Sequence, residues 1–91
     1  MNWRDKPIPN DDEGRPMFKG IVDLTNDKNE HLGAVCWFYD EGPFYASAMD
    51  ANDTRLIRRI GPCRTLEGAK RIVFDAIEGK VNISNRAGYL R

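Results

Sequence analysis

Residues 60–79 read IGPCRTLEGAKRIVFDAIEG, and this stretch joins the end of a strand to a turn and a helix. Gly61 and Pro62 interrupt the strand, and Thr65 stands where its side-chain oxygen can cap the first helical turn. Gly79 is suited to the left-handed backbone conformation that often follows the last residue of a helix. Apolar residues recur between these signals at the spacing of one helix face: Leu66, Ala69, Ile72, Val73, Ala76 and Ile77. The sequence therefore predicts a helix over residues 65–78 with one face packed inward.

The chain before this helix is rich in aromatic and β-branched residues, separated by turns that contain Gly, Pro, Asn and Asp. The pattern predicts strands over residues 18–24, 32–39, 44–50 and 54–60, with a further short strand over residues 81–83. The fold class that follows is α+β, an antiparallel meander of three to four strands packed on the helix at 65–78.

Residues 1–16 contain three prolines and the acidic run Asp11 to Glu13, which neither a helix nor a central strand tolerates well. We therefore expect an extended arm over residues 1–16 and a single α+β domain over residues 17–91. Trp3 and Ile8 are able to anchor the arm on the domain, and the sequence leaves open whether the arm is docked or free.

The composition is that of an ordinary globular chain of 91 residues, with a net charge of zero. Residues 1–53 carry 5 basic and 11 acidic side chains, whereas residues 54–91 carry 9 basic and 3 acidic ones. This asymmetry would polarise the molecule unless the fold interleaves the charges. No apolar run has the length of a membrane span, and no apolar leader is present, so we expect a cytoplasmic protein without a membrane segment.

The residues that could carry catalysis or bind a metal are few and scattered. Cys36 and Cys63 are far apart in sequence without a CxxC motif, and His31 is the single histidine. The run Asp11 to Glu13 lacks the alternating ligands and the glycine of a calcium loop. We therefore expect no enzymatic activity, no cofactor and no metal site, with Cys36 reduced in a strand.

One sequence pattern carries a resemblance to known domains. It follows a hairpin strand that contains Tyr45-Ala46, and it reads Ile60-Gly61-x-x-x-Thr65-x-Glu67-x-Ala69-x-Arg71. Over residues 33–78 this pattern resembles the sheet-then-helix DNA-binding domains of plant ethylene-response factors and the arm-binding domains of phage-type integrases. The resemblance implies a sheet packed on a helix, with DNA read by arginines and aromatic residues on the sheet face away from the helix.

The chain departs from this pattern where those families place their DNA-reading arginines. Asp50 stands at one such arginine position, and the strand from Ala34 to Tyr39 contains no basic residue. The remaining basic residues of the last strand, its turn and the helix are the candidates for contacts with nucleic acid: Arg55, Arg58, Arg59, Arg64, Lys70 and Arg71. Nucleic-acid binding through this basic cluster is therefore one of two hypotheses.

The other hypothesis is a protein interface on the sheet. If Tyr45, Ser47 and Met49 face the helix, the alternation of side chains along a strand places apolar residues on the opposite face. An exposed apolar face requires a cover, which the arm, a second subunit or another protein would supply. The predicted interface residues are Trp3, Phe44, Ala46 and Ile57. The sequence favours a small regulatory or inhibitory protein of the kind that phages and mobile elements encode, with a protein partner and with homodimerisation left open.

Overall fold

The computed structural model of the chain describes residues 1–50, 55–80 and 88–90. They form one antiparallel six-stranded sheet in which the strands are neighbours in sequence order, together with one helix. The elements are β1 (Asn2–Asp5), β2 (Gly20–Thr25), β3 (His31–Trp37), β4 (Phe44–Met49), β5 (Leu56–Arg59), α1 (Leu66–Ile77) and β6 (Gly88–Leu90). The predicted fold class, an antiparallel meander packed on one helix, is confirmed, and the meander is longer than three to four strands. The predicted strand at 81–83 and the start of the strand predicted at 54–60 lie outside the described residues.

The helix begins and ends at the signals that the sequence predicted. Thr65 is the N-cap, and its hydroxyl oxygen accepts a hydrogen bond from the backbone N–H of Gly68 at 3.0 Å. Glu78 is the C-cap, and Gly79 follows it with a φ of 77° in the left-handed region. The predicted span of 65–78 is therefore the observed helix together with its two caps.

The helix packs across β3 and β4, and we call the sheet face beneath it the inner face. A Cβ atom at Gly33 would lie 2.6 Å from Cγ1 of Val73, so the helix rests directly on the backbone of β3. Small side chains on both sides permit this close approach. The core of buried residues comprises Val22, Leu24, Leu32, Val35, Phe44, Ala46, Ala48, Ile60, Ala69, Val73 and Ala76.

The N-terminal segment predicted as an arm is in part a strand of the sheet. Residues 2–5 pair antiparallel with β2, and the register places Trp3 opposite Leu24 on the inner face. The ring of Trp3 meets the ring of Phe74 edge to face at 5.8 Å. The prolines of the segment begin only at Pro7, so the amides of residues 2–5 remain able to pair with β2.

Residues 9–17 fold back on themselves in a tight turn. One carboxylate oxygen of Asp11 accepts hydrogen bonds from the backbone N–H groups of Glu13 and Arg15, each at 2.9 Å. The guanidinium of Arg15 in turn contacts the carboxylates of Asp11 at 3.4 Å and Glu13 at 2.6 Å. The acidic run is therefore held in a local turn, and this turn leads the chain into Phe18 beside the sheet.

Within residues 1–50, 55–80 and 88–90, no helix has both the length and the apolar sequence of a membrane span.

Candidate interaction surface on the outer sheet face

The outer face is the side of the sheet opposite α1, and the strand register determines which residues it carries. Cys36 of β3 pairs with Tyr45 of β4, and Ser47 of β4 pairs with Arg59 of β5. Residues paired in this way point to the same face. Their neighbours Val35 and Ala46 form the adjacent pair and point into the core beneath the helix.

Three aromatic rings form a continuous cluster on the outer face, and we call Phe18, Phe38 and Tyr45 the aromatic cluster. The ring centroids of Phe18 and Phe38 are 5.0 Å apart, and those of Phe38 and Tyr45 are 5.9 Å apart. These distances are typical of favourable aromatic contacts. Phe38 is 48% exposed and Tyr45 is 40% exposed, so a large part of the cluster faces water.

The aromatic cluster forms one side of a recess of about 380 Å³, which we call the aromatic recess. Gly61 opens this recess because it has no side chain beside β4, and an added Cβ atom there would lie 2.9 Å from the backbone nitrogen of Ala46. The hydrogen bond from the Ile60 N–H to the Ala46 carbonyl oxygen, 3.0 Å, holds the chain in this position. The recess is lined by Phe18, Cys36, Phe38, Tyr45, Ala46, Ser47, Arg59 and Gly61.

Arg59 supplies the positive charge of the recess. Burial raises the pKa of the Cys36 thiol, and the nearby positive charge of Arg59 opposes part of that rise. Within the part of the chain that the structure describes, no carboxylate forms an ion pair with Arg59. The recess therefore combines apolar walls with a cation that is available to a ligand.

A second depression, of about 400 Å³, continues the outer-face surface beyond Phe18 and Phe38, which line both spaces. Lys19 lies at its edge, 3.7 Å from the exposed carboxylate of Asp40. The two spaces adjoin at the rings of Phe18 and Phe38, and we call them together the groove. The depression is lined by Ile8, Pro16, Met17, Phe18, Lys19 and Phe38.

The part of the outer face on β1 and β2 is charged and internally paired. Asp23 of β2 lies 3.7 Å from Nζ of Lys6 and 3.7 Å from Nδ1 of His31. Arg4 of β1 is directly opposite Asp23 in the register. The positive charge of Lys6 offsets the negative charge of Asp23, whereas the positive charge of the aromatic recess has no such partner among the described residues.

The predicted interface residues lie in other places, and the sequence-based assignment of the sheet faces is wrong. Phe44 is only 8% exposed and Ala46 is buried, and both belong to the core beneath the helix. Ile57 pairs with Met49 on the outer face but is 1% exposed, so it presents no surface to a partner. Trp3 packs on Phe74 on the helix side of the sheet. The four residues therefore form no common outer surface.

The predicted nucleic-acid residues are distributed over different parts of the molecule. Arg58 pairs with Ala48 on the inner face, and its Nε lies 2.5 Å from the carboxylate of Asp50. Arg59 is on the outer face, and Nζ of Lys70 lies 5.3 Å from the centroid of the Trp3 ring on the helix side. The exposed residues of this set outside the aromatic recess lie in the turn before β5, in the loop before α1 and on α1: Arg55, Arg64 and Arg71. The structure does not bring these six residues together.

The cysteines are both free thiols. Cys36 lines the aromatic recess, whereas Cys63 lies outside it and bridges to the backbone of Phe44. Burial raises the pKa of both thiols. Both are therefore protonated near neutral pH and react slowly with electrophiles. Across the described residues, no group of three or more His, Cys, Asp and Glu side chains is arranged to hold a metal ion.

The aromatic cluster is the feature that the sequence reasoning missed. Trp37, Phe38 and Tyr39 follow one another, so alternation sends at least one of them to the outer face. Ser47 was a further signal, because a serine facing the helix would leave its hydroxyl buried without a partner. These two signals together indicate that Phe38 and Tyr45 point outward and Phe44 points inward.

The fold and this surface define the protein as a small α+β protein, with one helix on one sheet face and an exposed aromatic recess on the other. Comparison with protein-family models, with curated proteins and with solved structures gives no match. The resemblance to the DNA-binding domains of ethylene-response factors and to integrase arm-binding domains therefore stays a prediction from the sequence pattern.

Proposed function

We propose that this chain is a small non-catalytic regulatory or inhibitory protein that acts by protein contact through the outer face of its sheet. The observation that carries the proposal is the exposed aromatic cluster beside Arg59. Aromatic residues and arginine are the residue types most enriched where protein interfaces derive their binding energy. The proposed interface is centred on Phe38 and Tyr45.

The location of the cluster supports an interaction role over a folding role. The core of the protein lies on the other side of the sheet, where α1 covers the aliphatic side chains. Phe38 and Tyr45 remain about half exposed although large apolar side chains gain free energy from burial. A partner that covers these rings would supply that burial on association.

Nucleic-acid binding is the alternative, and the dispersal of the basic residues argues against it. Phosphate binding requires several cations along the path of the backbone. Of the six candidate residues, Arg59 lines the aromatic recess, while Arg58 contacts Asp50 and Lys70 lies over Trp3 on the inner side. A protein partner makes better use of one cation beside three rings.

The test is capture of proteins from the native host by the immobilised chain, followed by mass spectrometry. Phe38→Glu places a charge in the centre of the aromatic cluster, and we expect it to abolish capture of the specific partner. Arg71→Glu is the matched control because it places a glutamate on the exposed side of α1, and we expect it to leave capture intact. Both variants must first show the unfolding transition of the wild-type protein.

A second readout locates the contact without any substitution. A bound partner should slow the alkylation of Cys36, which lines the aromatic recess, and leave the alkylation of Cys63 unchanged. Equal alkylation of Cys36 with and without the captured protein, or capture that survives Phe38→Glu in a folded protein, would show that the outer face is not the interface.

A further inference from the structure

The size of the groove limits the class of ligand that it admits. Pockets for drug-sized ligands and cofactors measure roughly 300–1,000 Å³, so the aromatic recess of about 380 Å³ is at the small end. A space of this size accommodates a single large side chain. The neighbouring depression is of similar size and shares the rings of Phe18 and Phe38. Two adjoining spaces of one side chain each fit a short extended stretch of polypeptide.

Both charged side chains in the described lining of the groove are basic. Arg59 lines the aromatic recess and Lys19 lines the depression, and neither lining, as far as the structure describes it, includes an aspartate or a glutamate. Lys19 has Asp40 at 3.7 Å, but both side chains are largely exposed, so that contact contributes little. Arg59 is therefore the group to which a ligand's negative charge would bind.

We propose that the groove binds a linear acidic peptide segment of a partner protein, with a large apolar side chain in the aromatic recess and a neighbouring carboxylate paired with Arg59. This inference rests on the proposed function and specifies the chemistry of the partner. The apolar side chain packs against Phe18, Phe38 and Tyr45. The planar guanidinium of Arg59 is able to donate two parallel N–H hydrogen bonds to a carboxylate, which selects an acidic residue next to the anchor.

A single strand of nucleic acid fits this groove less well. Such strands bind where several cations follow the phosphates and aromatic rings alternate with them. Here Arg59 lines one space of the groove and Lys19 the other, and elsewhere on the outer face Asp23 lies 3.7 Å from both Lys6 and His31. The acidic turn of a second copy is also a poorer occupant, because Arg15 already binds the carboxylates of Asp11 and Glu13 there.

The test is selection from a phage-displayed library of random short linear peptides against the immobilised full chain. We expect the enriched peptides to share one large apolar residue with an aspartate or a glutamate within two positions. We expect Arg59→Glu to weaken the binding of a selected synthetic peptide about tenfold or more. When the library is selected again on Arg59→Glu, the acidic residue should be replaced by lysine or arginine. Arg71→Glu is the control, and its effect should stay below about twofold.

Alkylation of Cys36 tests whether the peptide binds in the aromatic recess. A selected peptide should protect Cys36 from alkylation and leave Cys63 unprotected. The enriched peptides could instead be apolar, show no preference for an acidic residue and fail to bind Phe38→Glu. That result would overturn this inference and leave the proposed function standing. Enriched peptides that ignore both Phe38→Glu and Arg59→Glu would overturn the inference and remove the outer face from the proposed function. A library that yields no enriched peptide would overturn the inference, as would self-association or oligonucleotide binding that requires Arg59.

Discussion

The two faces of the sheet differ in how their apolar residues are used. On the inner face, small and aliphatic side chains such as Val35 and Ala48 are fully buried against the helix. On the outer face, the larger rings of Phe38 and Tyr45 remain about half exposed. The inner face therefore holds the main core cluster, whereas at Phe38 and Tyr45 the outer face holds apolar surface that folding leaves uncovered.

Side-chain size restricts what lies directly beneath the helix. The helix approaches the backbone of β3 at Gly33, and only Ala46 and Ala48 on the neighbouring strand leave room for it. The rings of Phe38 and Tyr45 would not fit at that distance. Large rings do occur elsewhere on the inner face, where those of Trp37 and Phe44 are 5.4 Å apart, so the restriction on size applies beneath the close approach at Gly33.

The largest change in stability should appear when a glutamate is introduced on the inner face and, in a separate variant, on the outer face. Phe44 belongs to the core and its ring is 5.4 Å from that of Trp37, so Phe44→Glu removes buried apolar surface and buries a carboxylate. We expect a loss of about 4 kcal/mol or more, enough to unfold much of the protein. Phe38→Glu should cost about 1 kcal/mol or less, because that ring is half exposed. Urea unfolding followed by circular dichroism measures both.

If Phe44→Glu keeps the wild-type unfolding midpoint while Phe38→Glu unfolds the chain, the assignment of the faces is reversed. Phe44→Leu is the control for the inner face, since it keeps an apolar side chain and should cost less than the glutamate.

The sequence predicted the helix and the fold class because these depend on local signals. Thr65, the apolar period of the helix and Gly79 each act within a few residues, and all three are confirmed. The face of β4 was not predictable from alternation alone, because both of its faces contain an aromatic residue, Phe44 on one and Tyr45 on the other. The strand at residues 2–5 was missed because its pairing with β2 is a long-range contact.

The candidate surface was predicted less well than the fold because it depends on tertiary packing. Phe18 and Tyr45 are far apart in sequence, and it is the folded chain that brings both rings to Phe38. Likewise, consecutive arginines look equivalent in sequence, yet Arg58 lies on the inner face and Arg59 on the outer face. These two arginines offer the next comparison.

Arg58 and Arg59 should differ in their contribution to stability. The side chains of Arg58 and Asp50 are 20% and 10% exposed, and their contact is 2.5 Å. Arg58→Ala leaves the carboxylate of Asp50 without this partner, and we expect a loss of about 1.5–3 kcal/mol. Arg59→Ala should change the free energy of unfolding by less than about 0.5 kcal/mol, because its charge faces the recess. Chemical denaturation of both variants provides the measurement, and equal losses would contradict this division.

The N-cap of α1 should contribute less to the free energy of unfolding than the contact between Arg58 and Asp50 does. Thr65→Ala removes the oxygen that accepts the Gly68 N–H hydrogen bond, and we expect a loss of about 1 kcal/mol. Thr65→Ser keeps the oxygen and should recover most of that stability. Peptide capture by the outer face should stay unchanged in both variants. A Thr65→Ala variant that binds peptide normally but unfolds earlier would separate the roles of the two faces.

The smallest expected change in stability concerns the contact that holds β1 against α1. The ammonium group of Lys70 lies 5.3 Å from the centre of the Trp3 ring, which also meets Phe74 edge to face. Lys70→Met keeps a long apolar side chain and removes the charge, so it isolates the cation–π contribution, which we expect to be about 0.5–1 kcal/mol. Hydrogen exchange should become faster in the amides of β1 and stay unchanged in β4. If β1 exchanges as slowly in Lys70→Met as in the wild type, its attachment depends on Trp3 and Phe74 without help from the cation.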